Sequence, residues 1–172
     1  MKKFVALLLA VLMVASLCAC GQKDTGSDLQ TVTKGKLIMS TNAEFAPYEY
    51  VADDGKGFQG TGYEGIDIEI AYALAQKLGL ELVVDNMDFD AALSAVQTGK
   101  SDMVAAGVTV TPDRLNAMSF TDSYANGVQV VIVKEGSDIK SIDDLQGKKI
   151  GTQRGTTGFL YCSDDFGDDN VI

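Results

Sequence analysis

The 172-residue chain contains no histidine. That absence removes Ser-His-Asp and Cys-His catalysis and the common zinc-ligand sets. Cysteine is scarce, with three residues, Cys18, Cys20 and Cys162, and none sits in a redox or metal motif. No metal site and no cofactor are expected. Arginine is scarcer still, because Arg114 and Arg154 are the only two. The formal charge is −10, which argues against nucleic acid as a partner. A single locally positive site on such a chain can still take an anionic group.

The N-terminus reads as an address. Residues 1–19 carry Lys2 and Lys3, then an apolar run from Phe4 to Leu17 that is short for a bilayer span. Leu17-Cys18-Ala19-Cys20 fits a lipoprotein cleavage box, with Cys20 as the lipidated residue. The expectation is a lipoprotein signal peptide, a lipid anchor on Cys20 with palmitate among its acyl chains, and an extracytoplasmic location at the cell membrane. The alternatives are a secretory peptide cut elsewhere and an uncut anchor helix. Cleavage before Cys20 removes two lysines and no acid, leaving a charge of −12. Residues 20–35 are polar and aperiodic and read as a flexible tether.

The mature part alternates strand and helix patterns. Lys36 to Thr41 reads as a strand. Ile66 to Leu78 reads as a helix with Ile66, Ile70, Leu74 and Leu78 as its apolar stripe and Gly79 as its stop. Leu80 to Val84 is a strand. Phe89 to Thr98 is a helix burying Phe89, Ala92, Leu93 and Val96. Asp102 to Ala106 is a third strand. This order predicts an α/β fold, a parallel sheet with helices on both faces. Val128 to Lys134 is strongly β-branched and reads as a buried strand. Ser141 with Asp144 suggests a capping box, Lys149 to Thr152 a strand, and Thr156 onward a helix.

One segment carries chemistry. Ala105-Ala106-Gly107-Val108-Thr109-Val110-Thr111-Pro112-Asp113-Arg114 runs from a strand into a helix start, with Thr111 as N-cap and Pro112 at the first helical position. Arg114 is the misfit, since a cation meets the positive end of the helix dipole there. Such placement suggests a carboxylate receptor, because guanidinium takes a carboxylate bidentately. The plainer alternative is a solvated arginine. Gly60-Thr61-Gly62-Tyr63-Glu64-Gly65 matches G-x-G-x-x-G before a helix, with Asp85 twenty residues on. A loop of over twenty residues separates it from the first strand, which counts against a dinucleotide site.

The pattern A-G-x-T-x-T-P-x-R, followed by Phe120-Thr121-Asp122-Ser123-Tyr124, resembles the bacterial family 3 extracellular solute-binding proteins. Thr41 to Tyr50, Gly65-Ile66-Asp67-Ile68-Glu69-Ile70-Ala71, Met87-Asp88-Phe89, Gln97 to Asp102, Asp144 to Gly151 and Gly155-Thr156-Thr157 extend the resemblance in order over about residues 36 to 160. It implies a type II periplasmic-binding-protein-like fold. Two lobes, 36–127 and 128–172, would close by hinge motion on a polar amino acid. The ligand would pass to the permease of an ABC importer, with no chemistry and a monomeric chain. The second lobe is expected to be incomplete, with the acid that binds the ligand ammonium lying past Ile172.

The resemblance also implies roles. Arg114 would clamp the α-carboxylate, with Gly107 and Thr109 offering backbone N–H groups and a hydroxyl. Ala106 would offer its carbonyl to the ammonium. Phe45 and Phe89 would flank the ligand side chain, and Asn42 would contact it. Gln153 and Thr157 would add contacts from the second lobe. Arg154 departs from the family pattern and faces either a second carboxylate or solvent. Two other functions fit the same architecture. One is a cyclohexadienyl dehydratase-like enzyme, which needs a proton donor outside this sequence. The other is the sensor domain of a membrane receptor, which the lipoprotein box disfavours.

Overall fold

The computed structural model describes residues 29–172; the signal segment and Cys20 lie outside the described residues. Every element below belongs to the unit Thr31–Ile172.

Strand β1 (Lys36–Thr41) is the centre of a three-stranded parallel sheet. It pairs with β5 (Glu81–Asn86) along its whole length, from Lys36 opposite Glu81 to Thr41 opposite Asn86. On its other edge it pairs with β6 (Met103–Val104). Helix α1 (Ile66–Leu78) connects β1's side of the chain to β5, and α2 (Phe89–Gln97) connects β5 to β6. Neighbouring residues of β1 show where the helices lie. Met39 packs on Ile68 and Ala71 of α1, whereas the Ser40 hydroxyl donates to the Ala92 carbonyl of α2 at 2.9 Å. Successive strand side chains point to opposite faces, so α1 and α2 cover opposite faces of the sheet. The predicted α/β layering is observed.

The boundaries of α1 match the sequence reading, with Gly79 in the left-handed C-cap conformation. Its buried face does not. Ile68, Ala71 and Ala75 are fully buried, while Ile66, Ile70 and Leu74 of the expected stripe are 43%, 41% and 38% exposed. Both stripes have helical spacing, but the alanines allow closer approach of the backbone to Met39, and the sheet takes that face. In α2, Phe89, Ala92 and Ala95 are buried, and Leu93 and Val96 are only half-buried.

The long connection after β1 is not a plain loop. It folds into a small antiparallel sheet of β2 (Glu44–Phe45), β3 (Glu49–Val51) and β4 (Tyr63–Glu64), ordered β2-β3-β4. The G-x-G-x-x-G stretch lies here, and its last glycine serves packing: a Cβ on Gly65 would sit 2.2 Å from the Tyr48 carbonyl oxygen. The end of the expected tether is tied down, since the Val32 N–H donates to Asp102 at 2.7 Å.

After β6 comes the short helix α3 (Pro112–Ala117), then a long irregular stretch. The expected buried strand from Val128 to Lys134 does not form; Val128 is 84% and Ile132 93% exposed. β-Branched residues suit a pleated surface but need a neighbouring ladder, and no described strand pairs with this stretch. Ser141 and Asp144 do make a capping box, on a 3₁₀ turn over Ile142–Leu145. The strand expected at Lys149 to Thr152 reduces to one parallel bridge, Ile150 with Val171. Helix α4 (Thr157–Phe166) starts on the Thr156 cap.

Candidate functional site

The carboxyl ends of β1 and β6 open onto one cleft of about 250 Å³. In open α/β sheets ligands sit at this end of the strands. Asn42, Phe45, Phe89, Ala106, Gly107, Thr109, Arg114, Gln153 and Thr157, the nine residues expected at the site, all line it. Glu49, Gln129, Thr156 and Gly158 line it too and were not expected.

Arg114 is built in from its own helix. Thr111 caps α3 by accepting from the Arg114 N–H at 3.2 Å, which fixes the backbone as the sequence predicts. The side chain is 8% exposed, so the solvated alternative fails. Its Nη1 donates to the Thr109 carbonyl at 2.8 Å and its Nη2 to the Gly155 carbonyl at 2.9 Å. The guanidinium lies 5.5 Å from the centre of the Phe89 ring, within cation–π range. Burial lowers its pKa from the usual arginine value, opposed by the Asp90 charge, but arginine stays protonated. Among the described residues no carboxylate lies within 4.0 Å of it.

Gly107 and Asn42 differ from expectation. The Gly107 N–H donates to Asp67 Oδ2 at 2.8 Å and is therefore spoken for. Gly107 lines the cleft without offering that N–H. Asn42 donates to the Met87 carbonyl at 3.0 Å and accepts from Gln153 Nε2 at 2.8 Å. It thus links the β1 end to the loop before α4. Gln129 Nε2 donates to the Thr157 hydroxyl at 3.3 Å. Phe45 is half-exposed and stacks on Tyr48, ring centres 5.3 Å apart. Phe89 is buried and faces both core and cleft. Arg154 is exposed and does not line the cleft. Cys162, at the middle of α4, is a free, half-buried thiol.

Glu49 on the cleft wall and Asp67, which does not line the cleft, form an acidic pair that the sequence did not reveal. Glu49 and Asp67 are each 1% exposed. Asp67 Oδ1 accepts from the Tyr124 hydroxyl at 2.6 Å, and burial together with this bond raises the Tyr124 pKa. Glu49 faces Asp67, and burial first, then the Asp67 carboxyl, pushes its pKa up to about 9. Its Oε2 is buried with no hydrogen-bond partner. Glu49 comes from a two-residue step after Pro47 and Asp67 from the second position of α1; neither has a local signature of burial.

A model of the bacterial extracellular solute-binding proteins, family 3, matches residues 37–166. The chain is 38% identical to the arginine-binding extracellular protein ArtP of Bacillus subtilis, covering 91% of this chain and 57% of that one. It is 36% identical to a probable histidine-binding protein of Neisseria gonorrhoeae, covering 99% and 62% respectively. The structure of an arginine-bound truncated arginine-binding protein from T. maritima superposes with a TM-score of 0.73 at 33% identity, over 82% of this chain and 64% of that chain.

Proposed function

The chain belongs to the bacterial extracellular solute-binding proteins, family 3, and from that premise we propose that it captures a polar amino acid for an ABC importer. One observation carries the reading: Arg114 is a buried guanidinium with no carboxylate partner, lining a cleft at the carboxyl end of a parallel sheet. A buried charge without a counterion is costly, and a ligand carboxylate would supply what is missing. The amides of Asn42, Gln129 and Gln153 on the cleft wall suit a polar ligand side chain. Ala106 keeps its carbonyl free of any described donor, consistent with an ammonium partner.

In this reading the lobes are residues 36–127 and 128–172, and the chain works as a monomer that hands its ligand to a membrane permease. It carries no catalytic role. It is exported by residues 1–19 and anchored by lipid on Cys20 at the extracytoplasmic face. Relatives that bind arginine and histidine by name support amino-acid capture.

The test is calorimetry with L-arginine, L-histidine and the remaining standard amino acids, alongside L-argininamide. Binding of an amino acid and loss of binding on blocking its carboxylate are expected. Equal affinity for arginine and argininamide would overturn the carboxylate clamp. Labelled palmitate should enter the wild-type protein in cells and not Cys20→Ala; equal labelling of the two removes the anchor.

A further inference from the structure

We propose that Asp67 is a positioning residue of the amino-acid site: it stands outside the cleft and holds both ends of the segment that carries the arginine clamp. The inference rests on the amino-acid reading above and adds to it the residue that seats Arg114.

The segment from Gly107 to Tyr124 contains Thr109, the Thr111 cap and Arg114. Little else fastens it. Arg114 is its only buried residue, and the aliphatic Val110 and Leu115 are 46% and 55% exposed. Among the described residues, no backbone–backbone hydrogen bond joins this segment to the rest of the chain. Three hydrogen bonds that involve side chains do so. The Gly107 N–H donates to Asp67 Oδ2 at 2.8 Å, the Tyr124 hydroxyl to Asp67 Oδ1 at 2.6 Å, and Arg114 Nη2 to the Gly155 carbonyl at 2.9 Å. One carboxylate therefore spends both oxygens on the two ends of one segment, and the clamp sits between them.

Asp67 is built as a fixed point. It is 1% exposed and lies in the first turn of α1, where a carboxylate suits the helix dipole. Its own N–H donates to the Tyr48 carbonyl at 2.9 Å. The next residue, Ile68, is fully buried against Met39 of β1. Asp67 does not line the cleft, whereas Gly107, Thr109 and Arg114 do, so it acts through them. At Gly107 the backbone turns with φ +54°, and a Cβ there would meet the Phe45 ring at 2.8 Å. The bond from Asp67 thus holds the loop against a cleft wall.

A clamp binds well when it is in place beforehand. Where the competent placement is only a fraction of the population, the apparent affinity falls by that fraction. Hydrogen bonds to an ionised carboxylate are among the stronger ones available for such placement. Without Asp67, the remaining hydrogen bond from the segment is made by Arg114, through the group that the ligand needs.

The experiment is calorimetry of the full chain with L-arginine, or with the standard amino acid that wild type binds best, beside urea unfolding of the same samples. Asp67→Ala loses both bonds and should bind at least about tenfold more weakly while folded. Tyr124→Phe frees one end and should bind about three- to tenfold more weakly. Asp67→Asn should stay within about threefold of wild type, because its amide oxygen can accept from Gly107 and its NH₂ can donate to the Tyr124 oxygen. The Gly107 amide proton should move upfield in Asp67→Ala and stay near its wild-type position in Asp67→Asn. A residue that served stability alone would lower the urea midpoint and leave the affinity of the folded protein unchanged. Wild-type affinity in folded Asp67→Ala or Tyr124→Phe therefore overturns the inference and leaves the amino-acid reading intact. Asp67→Asn as weak as Asp67→Ala overturns it as well. If Asp67→Ala does not fold, Tyr124→Phe decides. Failure of wild type to bind any standard amino acid overturns the functional reading and this inference with it.

Discussion

The Arg114 guanidinium donates to the Gly155 carbonyl at 2.9 Å, joining residues 41 apart across the cleft. The same side chain that is poised for an anion also pins the loop before α4 to the parallel-sheet half. Binding and cleft architecture therefore share one residue.

Arg114→Met should reduce amino-acid affinity by at least about 3 kcal/mol, the scale of losing a buried charge-assisted pair. It also strips partners from the Thr109 and Gly155 carbonyls, so stability should fall by about 1–3 kcal/mol. Arg114→Lys should bind poorly as well, because a single ammonium cannot replace the planar fork. Calorimetry and urea unfolding on the same samples separate the two losses. Near-wild-type affinity in Arg114→Met would sink the clamp.

Glu49 makes stability depend on pH with a definite sign. Its folded pKa is raised to about 9 from 4.5, so the folded state holds a proton that the unfolded chain has given up between those values. Stability from this group is complete below about pH 4.5 and declines as pH rises toward about 9, by up to about 1.4 kcal/mol per unit. Glu49→Gln should remove that decline and be the more stable protein at pH 8. Urea melts of both proteins from pH 5 to 9 check it, and parallel curves would show that Glu49 is ionised when folded.

Gly155 has φ +76°, and a Cβ there would meet Asp90 Oδ1 at 1.5 Å. Gly155→Ala should cost about 1–3 kcal/mol from backbone strain, with the clash in addition. Adding Asp90→Ala should recover the clash and leave the strain. Amide exchange at Gln153 to Thr157 should accelerate in the single variant. Unchanged exchange there would mean this loop is not docked as described.

Asn42 and Gln153 pair at 2.8 Å between the end of β1 and the loop before α4. A double-alanine cycle should return a coupling of about 0.5–1.5 kcal/mol, the net worth of one such bond. Strict additivity would remove it as a cleft tie.

Val128 to Lys134 should exchange its amides rapidly, because the stretch is exposed and pairs with no described strand. Ile38 to Ser40, paired on both edges of β1 or beside them, should be among the slowest. Strong protection at Val130 and Ile132 would contradict the irregular conformation.

Local chemistry accounts for what could be read directly. The Thr111 cap, the Pro112 start, the Gly79 stop and the Ser141–Asp144 box all act within a few residues, and each appears where its pattern places it. The alternation of strands and helices in the first half specified the parallel sheet and its two covered faces, and hence the end at which Asn42, Ala106 and Arg114 gather. Other outcomes depended on distant partners. Whether α1 buries its isoleucine stripe or its alanines was decided by Met39 on a strand well before it. Whether Val128 to Lys134 becomes a strand depended on a neighbour to pair with, which composition cannot supply. Glu49 reads as an ordinary acid among aromatic residues until the fold brings Asp67 against it and closes out water. A side chain's periodicity and capping are properties of its own segment; its burial, proton and partners belong to whatever the tertiary structure sets beside it.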